Sequence, residues 1–225
     1  MFKKSFAAIM ALMLTIFVTG CGGGDTKKAA ENVPQFSADK AIMAYAEMYA
    51  FGVSNHLNEA GLTEADTKEV SDKIVGDVVN SFSAFPLSDD NIANMTGIYV
   101  DKLEKVMELK TTLKKDDPEA PVVTLSAKII DQQGAADMAT KNEDILALGA
   151  TMGTLQNQGL SIDDLKANEE FQKTAMDAIG KFLDAIPFTA EKSIDVTCEK
   201  VQGSDGKIYW APKDPTEVAK FVQGN

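Results

Sequence analysis

An α+β fold is what the sequence predicts, and three observations predict it. Apolar residues recur at helical spacing from position 38 to about 113. Two segments, "PVVTLSAKII" at 121–130 and "KSIDVTCEKV" at 192–201, switch to strict alternation. The turn sequence "QGSDGK" then joins the second of these to "KIYWA", which makes a β-hairpin. The expected layout is N-terminal helices and a small antiparallel sheet, with a helical insertion between strands.

Ser37 is placed to cap a first helix over about 38–58, with Ile42, Tyr45, Tyr49, Val53 and Leu57 at spacings of three and four. Gly61 interrupts it. "TEAD" has the form of a capping box, Thr63 as cap and Asp66 at the third helical position, opening a helix striped by Val70, Ile74, Val78 and Phe82. Pro86 ends that run, and Ser88-Asp89-Asp90 starts a third helix. Its period carries through Ile92, Met95, Tyr99 and Val106 to Leu113, where "KKDDP" stops it. In the strand at 121–130, Val123, Leu125, Ala127 and Ile129 share the apolar face. A helix from about Gln133 to Leu155 follows. Ser161 and Asp164 then cap another that runs to about Ala185. In the hairpin, Ile194, Val196 and Cys198 form the inward set, and Tyr209 and Trp210 face opposite sides, so that one of the two is core. Thr216 to Val222 closes the chain as a short helix.

The N-terminus carries a different message. Lys3 and Lys4 precede a 13-residue apolar stretch, "FAAIMALMLTIFV", too short for a bilayer span, which takes about 20 residues. This is the layout of a secretory signal. The stretch ends in "VTGC", which resembles the lipobox of bacterial lipoproteins, and the resemblance implies cleavage before Cys21 and lipid attachment to its thiol. Residues 1–20 are then a signal peptide, 21–36 a lipidated cysteine and Gly-rich tether, and 37–225 a single domain.

Removing residues 1–20 takes away two lysines and no acid, which moves the formal charge from −12 to −14. Every basic residue is Lys. A strongly acidic chain without Arg has neither the basic face nor the planar forks that nucleic-acid binding uses, so no nucleic-acid partner is expected. The one histidine, His56, and the one cysteine beyond Cys21 supply no zinc ligand set, and no calcium loop, phosphate loop or nucleophile motif is present. No cofactor, metal or catalytic residue is therefore expected.

The order of elements, with "APVVTLSAKIID" and "IDVTCEKVQGSDGKIYWAPKD", resembles lipoproteins of Gram-positive-type bacteria that carry domains of unknown function related to the nuclear-transport-factor-2-like and cystatin-like superfamily. Its layout spans 37–225 and its specific residues 121–131 and 192–212, where a "DGKW"-type ending is stretched to Asp205-Gly206-Lys207-Ile208-Tyr209-Trp210. The resemblance implies a curved sheet wrapped by helices, sometimes with a pocket between the first helix and the concave sheet face. Tyr45, Tyr49 and Trp210 are candidates to line it. His56 is the candidate base if the pocket is catalytic, as in some enzymes of the superfamily; otherwise it is a surface or helix-end residue. Asp89-Asp90 and Asp163-Asp164 read as helix-start carboxylates, and Cys198 as a buried, inert thiol. Gly149 and Gly153 read as a site of close packing within the chain.

The function expected is that of a lipid-anchored extracytoplasmic binding or scaffold domain. It would be held to the membrane through Cys21 and face a protein or small-molecule partner. The alternatives are a small pocket enzyme and a cystatin-like inhibitor of an envelope hydrolase.

Overall fold

The computed structural model describes residues 33–224. The segment expected to be a signal peptide, the "VTGC" stretch and Cys21 lie outside the described residues. The chain from Val33 to Asn225 is one compact unit, and both of the hydrophobic cores described below lie within it. No helix among the described residues is long and apolar enough to cross a membrane.

The first helix, α1 (Ala38–Phe51), is the axis of the molecule. Its alanines at 38, 41, 44, 46 and 50 are all buried, together with Ile42 and Met48. Small side chains on several faces let other elements approach from more than one side: the sheet and C-terminal helix on one, two further helices on another. The helix stops at Gly52, whose φ of 73° suits glycine, and whose N–H donates to the Met48 carbonyl. A Cβ there would lie 2.8 Å from the Ser71 backbone, so the stop is also a close crossing point.

After one turn, α2 (Leu57–Ala60), the chain enters α3 (Glu64–Ser81) and α4 (Asp89–Met107). The capping box at Thr63 is formed, with the Asp66 carboxylate accepting from the Thr63 N–H at 2.7 Å. Ser88 Oγ accepts from the Asn91 N–H at the head of α4. The sheet is an antiparallel meander of four strands in the order β1 (Lys110–Lys115), β2 (Val122–Ala127), β3 (Lys192–Gln202), β4 (Ile208–Pro212). Between the neighbouring strands β2 and β3 lies an insertion of four helices: α5 (Gln132–Lys141), α6 (Glu143–Asn157), α7 (Ile162–Ala167) and α8 (Glu169–Ala185). The last helix, α9 (Pro215–Val222), returns to α1.

Two cores result. In the sheet core, α1 and α9 pack on Val123, Leu125, Ala127, Val196 and Trp210. In the helical core, α3, α4, α6, α7 and α8 enclose Met95, Leu148, Leu165, Phe171 and Ile179. One polar side chain is built into the helical core: Gln172 donates to the Pro86 and Leu165 carbonyls and accepts from the Ser88 N–H and Asn91 Nδ2, at 2.8–3.0 Å. All four of its hydrogen-bonding positions are used, which makes its burial tolerable.

The α+β class, the meander hairpin and the helical insertion agree with the sequence reading, but several boundaries do not. The first helix ends at Phe51 rather than near 58, because Gly52 caps it and Glu47 draws back the segment that follows; Val53, expected on the apolar stripe, is 50% exposed. The third helix ends at Met107, where Glu108 takes φ 50°, and the segment read as its last turn is strand β1. The sheet therefore has four strands, β1 being added to the three segments read from the sequence. The two long helices of the insertion are each broken at an asparagine. Asn142 and Asn168 leave helical geometry, and their side chains accept from the third residue onward, Ile145 and Phe171. Tyr209 and Trp210 are both buried, at 5% and 8% exposure. The loop at Gly61 covers the side of β4 that was expected to be open: a Cβ on Gly61, whose φ is 65°, would fall 2.5 Å from the Tyr209 ring. Gly149 and Gly153 do not mediate packing within the chain, since a Cβ on either would meet open space.

Candidate functional site

Where the two cores meet, they do not close on each other. A cavity of about 510 Å³ remains. Tyr49 of α1 forms one wall, Ile74 of α3, Phe82 just after it and Tyr99 of α4 a second, and Phe182 of α8 with Ile186 just after it a third. Val222 and Gln223, at the end of α9, close one end. Phe82 and Phe182 meet edge to face, 6.1 Å between ring centroids at 83°.

The roof is α5, and its sequence explains why. "QQGAADMATK" has no large aliphatic residue besides Met138, and none of its residues is buried. It cannot seal a core; it lays Ala135 and Ala139, one turn apart, over the space below. Its first turn is held: Asp131 accepts from the Gly134 N–H at 3.1 Å, the Asp131 N–H donates to the Pro187 carbonyl, and Gln132 Nε2 donates to the Gln223 carbonyl at 2.9 Å. Its far end terminates at the Asn142 break.

The electrostatics of the walls have one sign. Burial, and then the Asp77 carboxylate, raise the Tyr99 hydroxyl above its ordinary range. Burial, then Asp66 and Glu69, push Tyr49 up to about 12. Both phenols are therefore neutral hydrogen-bonding groups at any physiological pH.

A second cavity, of about 480 Å³, lies on the other flank of α1. Here Glu47 is the hub. Its carboxylate accepts from Ser54 Oγ at 2.7 Å and from the Asn55 N–H at 3.2 Å, and its two oxygens lie 2.9 and 3.0 Å from His56 Nδ1. Glu59, Glu104 and Glu108 line the same space; Lys40 lies 3.6 Å from one Glu59 oxygen, and the other is buried without a partner among the described residues. Among the described residues, no group of three or more His, Cys, Asp or Glu side chains is arranged to hold a metal ion.

The residues singled out from sequence fall in separate places. Tyr49 lines the cavity between the cores. His56 lines the second cavity; it stands beyond the end of α1, partly exposed at the start of α2, and Glu47 is its partner. Tyr45 packs against the sheet core, 6.4 Å from the Tyr49 ring, and burial raises its hydroxyl. Trp210 is core, with the Lys200 ammonium 5.8 Å from its ring centroid. Neither Tyr45 nor Trp210 is among the residues that line the two cavities. The space between α1 and the sheet, where the pocket was expected, is filled by the alanines of α1 and the valines of β2 and β3. Cys198 is 1% exposed and burial pushes its thiol up to about 12, as its place on the strand's apolar face predicts. Sequence reasoning did not single out Phe82, Tyr99, Phe182 or Ile186 as site residues, because at helical spacing they are indistinguishable from core. The available signal was α5, a helix-length segment with no apolar stripe.

No family model and no curated protein matches the chain. Among solved structures, it is similar to the crystal structure of "a putative lipoprotein (ycdA)" from Bacillus subtilis, with 18% sequence identity and a TM-score of 0.52 over 90% of this chain. The chain spans about 60% of the length of that protein. At this identity the likeness is one of fold: an α+β architecture shared with a protein described as a lipoprotein.

Proposed function

We propose that the chain is a lipid-anchored extracytoplasmic lipoprotein whose domain binds an apolar small molecule, without turning it over, in the cavity between its two cores. The cavity carries this reading. Its volume of about 510 Å³ falls in the range of small-molecule sites, roughly 300–1,000 Å³, and its walls are aromatic and aliphatic with few polar groups, as such sites are. The anchor rests on the "VTGC" box at Cys21, and the name of the fold neighbour is in keeping with it. A helix cradled by a four-stranded antiparallel meander is consistent with the cystatin-like side of the resemblance.

The test is fluorescence of N-phenyl-1-naphthylamine titrated into the soluble 22–225 form. Saturable enhancement is expected, and Ala139→Trp, which fills the cavity from its roof, should abolish it. Ala150→Trp, on the exposed face of α6, should leave it intact. Equal enhancement in all three would defeat the cavity reading. In cells, loss of fatty-acid labelling in Cys21→Ala is the expected result for the anchor. A second reading, a pocket enzyme, is favoured by the Glu47–His56 pair beside the other cavity. A turnover that disappears in His56→Ala would establish it in place of the first.

A further inference from the structure

We propose that the cavity between the cores takes the long, unbranched hydrocarbon chain of a single-chain lipid, and that the chain runs past Phe82 and Phe85 into a smaller cavity beyond them. The inference rests on the cavity reading above and adds the shape and chemical class of what binds.

The smaller cavity has a volume of about 270 Å³, and Val79, Leu87, Ile92, Met95 and Ile162 give it apolar walls. Phe82 and Phe85 line both spaces, so the two meet at these side chains. Helix α4 runs along both. Ile92 and Met95 line the smaller cavity, Tyr99 and Leu103 the larger. At spacings of three, four and four, these residues lie on one face of the helix. A rise of 1.5 Å per residue makes that stripe about 16 Å long. On α3, Ile74 and Val78 line the larger cavity, and Phe82, one turn beyond Val78, stands at the division. The two cavities are thus successive stretches of one apolar trough.

A compact ligand would occupy one stretch. A trough of this length suits a chain, each methylene of which gains by leaving water. The charged side chains lie at the rims: Asp77, paired with Lys73 at 3.0 Å, at one, and the exposed Lys166 at the other. The walls between them select length rather than the charge of a head. The division itself is slight. Phe82 is held edge to face by Phe182. Phe85 rides on a short turn, its N–H donating to the Phe82 carbonyl at 2.9 Å, with Ser83 and Ala84 exposed. The residue after it is fixed, since Gln172 Nε2 donates to the Pro86 carbonyl at 2.8 Å. A shift of the Phe85 ring therefore leaves the helical core in place.

The experiment displaces bound N-phenyl-1-naphthylamine with octanol, decanol and dodecanol, each below its solubility limit. In the wild type the displacing concentration should fall about fourfold for each added methylene, the size that burial of one CH₂ gives. Ala84→Trp and Ile162→Trp fill the smaller cavity from two exposed positions on its rim. Each should raise the dodecanol concentration by about tenfold or more, the loss of two or more buried methylenes, and leave octanol within about twofold. Dodecanol no stronger than octanol in the wild type overturns the inference. So does dodecanol displacement indifferent to both tryptophans, or octanol and dodecanol weakened alike in both variants; the cavity reading survives each of these. Absence of probe binding in the wild type overturns the cavity reading itself.

Discussion

The two cores are built from different materials. The sheet core is made mostly of small and β-branched residues: Ala41, Ala44 and Ala46 of α1 are fully buried against neighbours such as Val123 and Val196. The helical core uses long side chains, Leu148, Leu165, Phe171, Ile179 and Leu183, and fixes its geometry with the buried amide of Gln172. Small residues close a core by letting backbones approach. Large ones close it by interdigitation and need a facing surface of matching shape. Where α1 turns its aromatic side, Tyr49, toward the helical layer, neither mode is satisfied, and the cavity lies there.

The contrast predicts opposite sensitivities. Phe171→Ala should have the largest effect, about 3–5 kcal/mol of stability lost in urea denaturation, because a large side chain is removed from a core that depends on volume. Ala44→Leu should come next, costing about 1–3 kcal/mol by the same measurement, because the sheet core has no space for added methylenes. A smaller loss from Phe171→Ala than from Ala44→Leu would break the comparison. Gly149→Ala should be the smallest and of opposite sign, a gain of about 0.5–1 kcal/mol, since the helix interior disfavours glycine and the added methyl meets open space. Destabilisation there would mean that the exposed face of α6 is used for packing after all.

How much of this was legible depends on the physics of each signal. Caps that use a hydroxyl and a carboxylate were legible: Thr63 with Asp66, and Ser161 with Asp164, both formed. Caps made by a lone asparagine inside a continuing apolar period, Asn142 and Asn168, were not, because the side-chain period runs on across the break. Strand β1 was hidden for another reason. "KTTLKK" is an edge strand exposed along most of its length, so burial imposes no alternation on it, and its lysines serve to blunt the edge. Lys114 is salt-bridged to Asp195 and Lys110 to Glu191. The burial of Cys198 was legible from strict alternation. The site was only partly so. Tyr49 was named, yet α1 is apolar on nearly every side, and a helix buried on all faces does not encode which face meets which layer.

The placement of the helical insertion sets the order in which the molecule can assemble. Ala127 pairs with Lys192 and Val122 with Thr197, so the central ladder of the sheet joins segments held apart by four helices. Closing that span from an extended chain carries a loop entropy that a hairpin such as β3–β4 does not. Contacts within the insertion, α7 with α8 and α6 with α8, are much more local in sequence. The insertion is therefore expected to collapse first and bring the ends of β2 and β3 near each other, with the sheet zipping afterwards. Refolding should be limited by the β2–β3 register, and substitutions in the insertion should slow folding where those in β4 mainly hasten unfolding.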